Sequence, residues 1–369
     1  MSPALATAVL GLVLVLAAAT FDAEPLYVPG LAFTGLALGA IAWVAVGSRG
    51  LRVRRTVGAR TVDEEQPVAI EVEVRAGTGM LPTGVIDDPL LPAPAPLAVG
   101  RRRTRLRINA TFGRRGLKVL RAPSIVVRDP FGLATRVVRV GDDVEVLVLP
   151  RVTPVVAGAQ GADGDGLGLH RGRPHAAAEI ELDGLRPLRP GAPASRIFWP
   201  ALARSGELVE RRMLADTDTR PLVVLDPRAP TGGRTAASDE DLDAAVRAVA
   251  SLCVHLARRG GCALLLPGDR RPLLLDPTMS AWPRAHVRLA LVEAGAPPST
   301  AGMGNRRGPV LYVSAVARRP PQALLHASAP GASRLLVVPG ILPGRAASFA
   351  VAGCTAYPLR AGRARAVVA

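Results

Sequence analysis

The first 48 residues contain no lysine or arginine and only two acids, Asp22 and Glu24. Pro3 to Phe21 is mostly alanine, leucine and valine, and a second apolar run from Leu26 to Gly47 follows the short polar break Asp22-Ala-Glu-Pro25. As helices, about 18 and 22 residues reach roughly 27 and 33 Å, which matches a hydrocarbon core of ~30 Å. A transmembrane helical hairpin is predicted, with helices over about residues 4–21 and 26–47. A cleaved signal peptide could use Ala17-Ala18-Ala19, but it would lack a basic n-region and leave the second run unexplained.

Arg49, Arg52, Arg54, Arg55 and Arg60 follow the second run without an acid among them. Cytoplasmic flanks carry the Lys/Arg excess, so the chain after residue 48 is expected in the cytoplasm, as part of a multi-pass inner-membrane protein. Tyr27 and Trp43 lie near the ends of the second run, where interfacial aromatics are favoured. All 46 basic residues, and 28 of the 30 acids, lie beyond residue 48. The formal charge of +16 thus belongs to the body of the chain, and the positive mean hydropathy of +0.26 to the hairpin. Nearby anionic membrane lipid is a sufficient setting for that charge, and no nucleic acid is needed. Three widely spaced cysteines, Cys253, Cys262 and Cys354, fit buried thiols in a reducing compartment.

Residues 49–157 alternate apolar and polar positions, as in Val68-Ala-Ile-Glu-Val-Glu-Val74, Arg103-Thr-Arg-Leu-Arg-Ile-Asn109 and Val144-Glu-Val-Leu-Val-Leu149. Period-2 runs between Gly/Pro breaks predict an antiparallel β-sandwich, with Pro82 to Pro96 as a loop. Arg101 to Arg121 holds nine basic residues and no acid. It reads as strands with arginines on the solvent face, or as an anionic-lipid patch; Phe112 is its one aromatic, too few for a nucleic-acid stacking platform. Residues 158–180 form a Gly-rich linker. Its Gly164-Asp-Gly-Leu-Gly168 lacks the spacing of a dinucleotide loop.

From Pro221 the pattern is α/β. Pro221-Leu-Val-Val-Leu-Asp226 reads as a buried strand ending in Asp, and Ser238 with Asp241 as a capping box for a helix carrying Leu242, Val246, Val249, Leu252, Cys253 and Leu256. Cys262 to Leu266 and Pro272 to Leu275 suggest a hairpin, Ala281 to Ala294 a helix, and Gln322 to His326 another. Val310 to Val313, Leu335 to Val338 and Phe349 to Ala352 complete the strands of a mainly parallel sheet covered on both faces. Ligands favour the C-terminal ends of such strands, which places Asp226 where a site would be.

Leu185-Arg-Pro-Leu-Arg-Pro-Gly191, Arg196-Ile-Phe-Trp199, Ala203-Arg-Ser-Gly-Glu-Leu208 and the upstream Asp129-Pro-Phe-Gly-Leu133 occur in this order. Together with the hairpin they resemble the domain-of-unknown-function family 58, whose signature reads roughly LRxYxxGD, RxIxW and ARxGxL. The resemblance covers essentially the whole chain. It implies that residues 181–369 hold the signature region and a von Willebrand factor A-like α/β (Rossmann-like) domain, and that the protein works beside a MoxR-type AAA+ ATPase. Leu188 and Ala192 stand where the signature has Tyr and Asp. A metal-ion-dependent adhesion site needs DxSxS, whereas Asp226-Pro-Arg-Ala-Pro230 keeps only the Asp and adds Arg228, so no metal and no cofactor is expected.

Arg186, Arg189, Gly191, Arg196, Trp199 and Arg204 form the candidate partner-binding set. Arg and Trp are common interface anchors. In the opposing view, which is favoured for the indole, Trp199 plugs the sheet while the arginines pair with Glu181, Asp183, Glu207 or Glu210. The five histidines form no HExxH or zinc spacing, and neither a GxSxG elbow nor a GxxxxGK[ST] loop occurs. The expectation is a membrane-anchored, non-catalytic scaffold or adaptor. Its rivals are an enzyme using Asp226 at the sheet edge and a binder of anionic lipid.

Overall fold

The computed structural model describes residues 2–77, 79–157, 167, 169, 182–188, 197–213, 219–230, 233, 235–301, 303, 306, 308–326, 328–329 and 331–359. The chain divides into two compact units, Met1–Val148 and Leu149–Ala369.

In the first unit the apolar runs are helices, Pro3–Phe21 and Tyr27–Gly47, each long and apolar enough to cross a membrane. They pack as an antiparallel pair joined by a single 3-10 turn, Glu24–Leu26. Small residues allow the close crossing: a Cβ on Gly11 would lie 2.8 Å from the Gly30 carbonyl oxygen, and one on Gly30 would lie 3.0 Å from that of Gly11. The first helix is opened by Pro3 in its first turn and by the Ser2 hydroxyl, which accepts from the Leu5 N–H.

Three antiparallel sheets follow. One joins Arg52–Val57, Val68–Arg75 and Arg103–Ala110; a second joins Thr61–Asp63, Val144–Leu149 and Gly116–Leu120; the third joins Ala95–Pro96, Gly84–Asp87, Ser124–Arg128 and Thr135–Arg139. Alternation has its expected physical outcome: Val68, Ile70, Val72 and Val74 enter one core with Ile86, Ile125, Val127 and Val146, while Arg103, Arg105 and Arg107 face solvent. Arg105 pairs across the strands with Glu71 and Glu73. Pro82 to Pro96 is not simply a loop, because Gly84–Asp87 and Ala95–Pro96 are strands. Gly84 lies so close to its neighbour that a Cβ would sit 2.4 Å from the Val126 carbonyl oxygen, so the glycine read as a break is a requirement of strand pairing. Arg55, one of the five arginines that follow the second apolar run, has a buried side chain that pairs with Asp88 and donates to the Leu120 and Arg121 carbonyls.

The second unit holds an eight-stranded mixed sheet. Its order is Val156–Ala157, Phe349–Val351, Cys354–Pro358, Arg334–Pro339, Val310–Ser314, Leu222–Asp226, Cys262–Leu265, Leu273–Leu275. Only the three central pairings are parallel, and the four outer ones are antiparallel. The expected mainly parallel sheet is corrected on this point. The link from Leu266 to Pro272 makes the expected hairpin, and the two-residue link Ala352-Gly353 is likewise too short for the crossover that a parallel return needs.

One face of the sheet packs on the helices Ala236–Arg258 and Trp282–Ala290, and the other on Met303 and Leu324. The long helix starts a turn earlier than Ser238. Thr235 is its N-cap, and Thr235 and Ser238 exchange side-chain to backbone hydrogen bonds in the capping box. The next helix is shorter than expected, ending at Ala290.

Pro150 to Ala157 belongs with this unit. The Pro150 carbonyl is bonded to His286 Nε2 at 2.7 Å, His286 stacks on Trp282, and the Thr153 N–H donates to Ser251. Within the Gly-rich segment, Leu167 and Leu169 are buried in the same core, so that part of it is anchored rather than a free linker. The remaining residues of 158–180 lie outside the described residues.

Candidate functional site

Leu222–Asp226 is buried throughout, because it is the centre of the sheet with a strand on each side and packing on both faces. Its terminal residue Asp226 is fully buried. Arg228, two residues on, folds back side-on: its Nε donates to Oδ1 at 2.9 Å and to Oδ2 at 3.0 Å, and its terminal nitrogen Nη2 donates to Oδ2 at 2.7 Å. The Arg228 backbone N–H donates to Oδ1 as well. From the neighbouring parallel strand the Tyr312 hydroxyl donates to Oδ2, while accepting from Arg228 Nη2 at 3.2 Å. These three side chains close a triangle of charge-assisted hydrogen bonds.

Burial pushes the Asp226 carboxyl up, but the hydrogen bonds from Arg228 and Tyr312 outweigh it and hold the group below the ordinary carboxylate value. Arg228 is shifted upward by the bond to Asp226, and Tyr312 is shifted upward by burial and by the same carboxylate. All three groups therefore keep one protonation state near neutral pH. The loop beyond is fastened too, by Gly295 N–H to the Pro227 carbonyl and by Arg318 to the Ala229 carbonyl. Such a carboxylate has its lone pairs committed, and a general base or a metal ligand needs them available. Among the described residues, no group of three or more His, Cys, Asp and Glu side chains is placed to hold a metal ion.

The described signature segments are bonded to one another, the Leu188 N–H donating to the Leu208 carbonyl and the Phe198 N–H to the Val209 carbonyl. Arg186 lies on the strand Leu182–Pro187, opposite Glu210 of the strand Val209–Met213. Trp199 opens the short helix Trp199–Ser205, and Arg204 lies in its last turn, where a cation suits the helix C-terminus. Gly206 ends that helix at φ 73°, donating its N–H to the Leu202 carbonyl, so the glycine of the ARxGxL pattern serves as a stop. Arg189, Gly191 and Arg196 lie outside the described residues. Trp199 does not plug the sheet: it is 57% exposed. It stands exposed in the first turn of a seven-residue helix, which corrects the expectation of burial. Arg204 is exposed as well and makes no ion pair among the described residues.

Tyr312 was not among the candidates. Its signal was present: a tyrosine inside an otherwise aliphatic buried strand must find a partner for its hydroxyl, and the neighbouring strand ends in Asp. The cysteines are buried and free, with the Cys262 thiol donating to the Cys253 carbonyl at 3.6 Å. Cavities also lie elsewhere among the described residues. One of about 30 Å³, near Leu167, Pro221 and Gly261, has room for about one water, and one of about 510 Å³ lies over Asp87, Arg121, Arg139 and Asp143 in the first unit.

No protein-family model matches the chain, and no curated protein matches it.

Proposed function

We propose that this protein is a membrane-anchored, non-catalytic scaffold or adaptor that engages a MoxR-type AAA+ ATPase in an envelope-associated assembly. In this reading the helical pair spans the inner membrane twice, the first unit is a β-sandwich and the second a von Willebrand A-like domain, both cytoplasmic. The observation that carries it is the solvent exposure of Trp199, with Arg204 exposed in the last turn of the same short helix and Leu208 exposed just after its glycine stop. A large apolar ring left in water, with an exposed arginine on the same short helix, is the composition of an interface anchor. The closed Asp226 triangle supports the same reading, since the carboxylate an enzyme would use at that strand end is committed to internal bonds.

A photocrosslinking amino acid at position 204 tests it in native membranes. One dominant adduct with an ATPase is expected, and it should disappear when Trp199 is replaced by Ala. Adducts no different from those at an exposed control position such as Arg345 would contradict the proposal. For orientation, a reporter fused after Ala369 is expected to be active in the cytoplasm, and activity on the other side would overturn the topology.

A further inference from the structure

The turn Asp129-Pro-Phe-Gly-Leu133 is tied to the base of the helical pair. Asp129 is buried, its carboxylate accepts from the Phe131 and Ala134 N–H groups, and the Gly132 N–H donates to its carbonyl. Pro130 suits the first corner of such a turn, and Gly132 takes φ 73°. The Leu133 carbonyl then accepts from the N–H of Ala4, one of the first N–H groups of the Pro3–Phe21 helix, which have no partner inside it. Four of the five residues therefore have a structural task. Phe131 lends the turn only its backbone N–H, and its ring is 70% exposed at the tip.

Two neighbouring loops reach the same base. Pro82 lies against Gly47, and Gly77 so close to Gly50 that a Cβ on it would be 2.3 Å from the Gly50 carbonyl oxygen. The turn leading to Pro82 carries Met80, 66% exposed, and is hydrogen-bonded to the loop carrying Val99, Arg101 and Arg102. Arg49, Arg101, Arg102 and Arg128 are exposed around these loops and make no ion pair among the described residues. The acids nearby are committed: Glu73 to Arg75, Arg103 and Arg105, and Asp129 to backbone N–H groups.

We infer that this end of the first unit is a lipid-contact surface, in which Phe131 and Met80 enter the interface of the leaflet and the surrounding arginines hold acidic phospholipid headgroups. The inference rests on the membrane-spanning reading of the helices. If the helix that starts at Pro3 crosses the bilayer, a turn bonded to Ala4 lies at headgroup level, where aromatic rings are favoured and each arginine gains from anionic lipid. The lipid is thus the occupant that continuity and charge both select.

The test is an environment-sensitive fluorophore placed on single engineered cysteines of the full chain in phosphatidylglycerol vesicles, the native thiols being buried. Positions Phe131→Cys and Met80→Cys are expected to be quenched by headgroup-level nitroxide lipid and protected from aqueous iodide. Thr111→Cys, exposed at the opposite end of the Val68–Arg75 strand, should show the reverse. Changing Arg101, Arg102 and Arg128 together to Gln should restore iodide access at position 131, and no change would overturn the headgroup role. A probe at Leu12→Cys reports the span itself. Deep quenching at position 12 with iodide-accessible probes at 131 and 80 would overturn this inference alone, whereas iodide access at position 12 would overturn the membrane-spanning reading and this inference with it.

Discussion

Tyr312 and Asp226 are joined by a hydrogen bond across two parallel strands, although the strand register sets Tyr312 opposite Val224 and Ser314 opposite Asp226. The phenol reaches along the strand to the carboxylate, and Arg228 closes the triangle from the loop. A buried carboxylate is thereby kept at the C-terminal end of a central strand. Its energetic weight is in what happens when a partner is lost.

Arg228→Ala should destabilise the second unit by about 3 kcal/mol at pH 7, because it leaves a buried carboxylate with Tyr312 as its remaining side-chain donor. The pH dependence fixes the cause. In the wild type the Asp226 value is depressed, so its contribution is complete above the ordinary carboxylate value and is lost as pH falls through the lower folded value. Without Arg228, burial raises the carboxyl instead, and the variant should gain stability relative to wild type as pH falls from 7 towards 5. Denaturant unfolding of the detergent-solubilised protein measures this, and a pH-independent difference would contradict it.

Arg55 and Asp88 make the corresponding pair in the first unit, with side chains 2% and 0% exposed. Asp88→Ala should cost about 3–5 kcal/mol by stranding the guanidinium, whereas joint replacement by apolar residues of similar volume should cost far less. A double-mutant cycle on unfolding midpoints distinguishes this from two independent losses.

The three cysteines should resist maleimide in the folded protein and all react after unfolding. Burial pushes Cys354 up to about 12 and Cys253 well above its usual range, so neither offers thiolate at pH 7.5. Rapid labelling of either in the native state would contradict the buried placement.

Ala352-Gly353 joins Phe349–Val351 to Cys354–Pro358 with φ of 50° and 79°, the backbone of a two-residue hairpin turn that favours Asn-Gly. Ala352→Asn should therefore stabilise by about 0.5–1 kcal/mol, since an L-residue other than Asn, Asp or Gly pays ~1–2 kcal/mol in that region. A lowered unfolding midpoint would count against it.

The same turn explains one limit of the sequence. Without the Asn-Gly signal, Cys354–Pro358 could not be recognised as a strand, and the antiparallel outer half of the sheet went with it. The hairpin helices, the alternating strands and the buried run ending at Asp226 were legible, because each is a local pattern of apolar residues. What Asp226 does was not, since its partner Tyr312 is brought to it only by strand pairing. Trp199 misled for a similar reason: indoles are usually buried, and nothing local shows that this one stands exposed in the first turn of a seven-residue helix. Leu167 and Leu169, two apolar residues in a Gly-rich stretch, were the visible hint that part of that stretch is anchored.

Affinity purification from native membranes with quantitative mass spectrometry tests the scaffold reading most directly. Wild-type protein should retain an AAA+ ATPase of the MoxR type at near-stoichiometric yield, and Trp199→Ala, with an unchanged unfolding midpoint, should lose it. Equal recovery with both proteins, or no ATPase with either, would contradict the account.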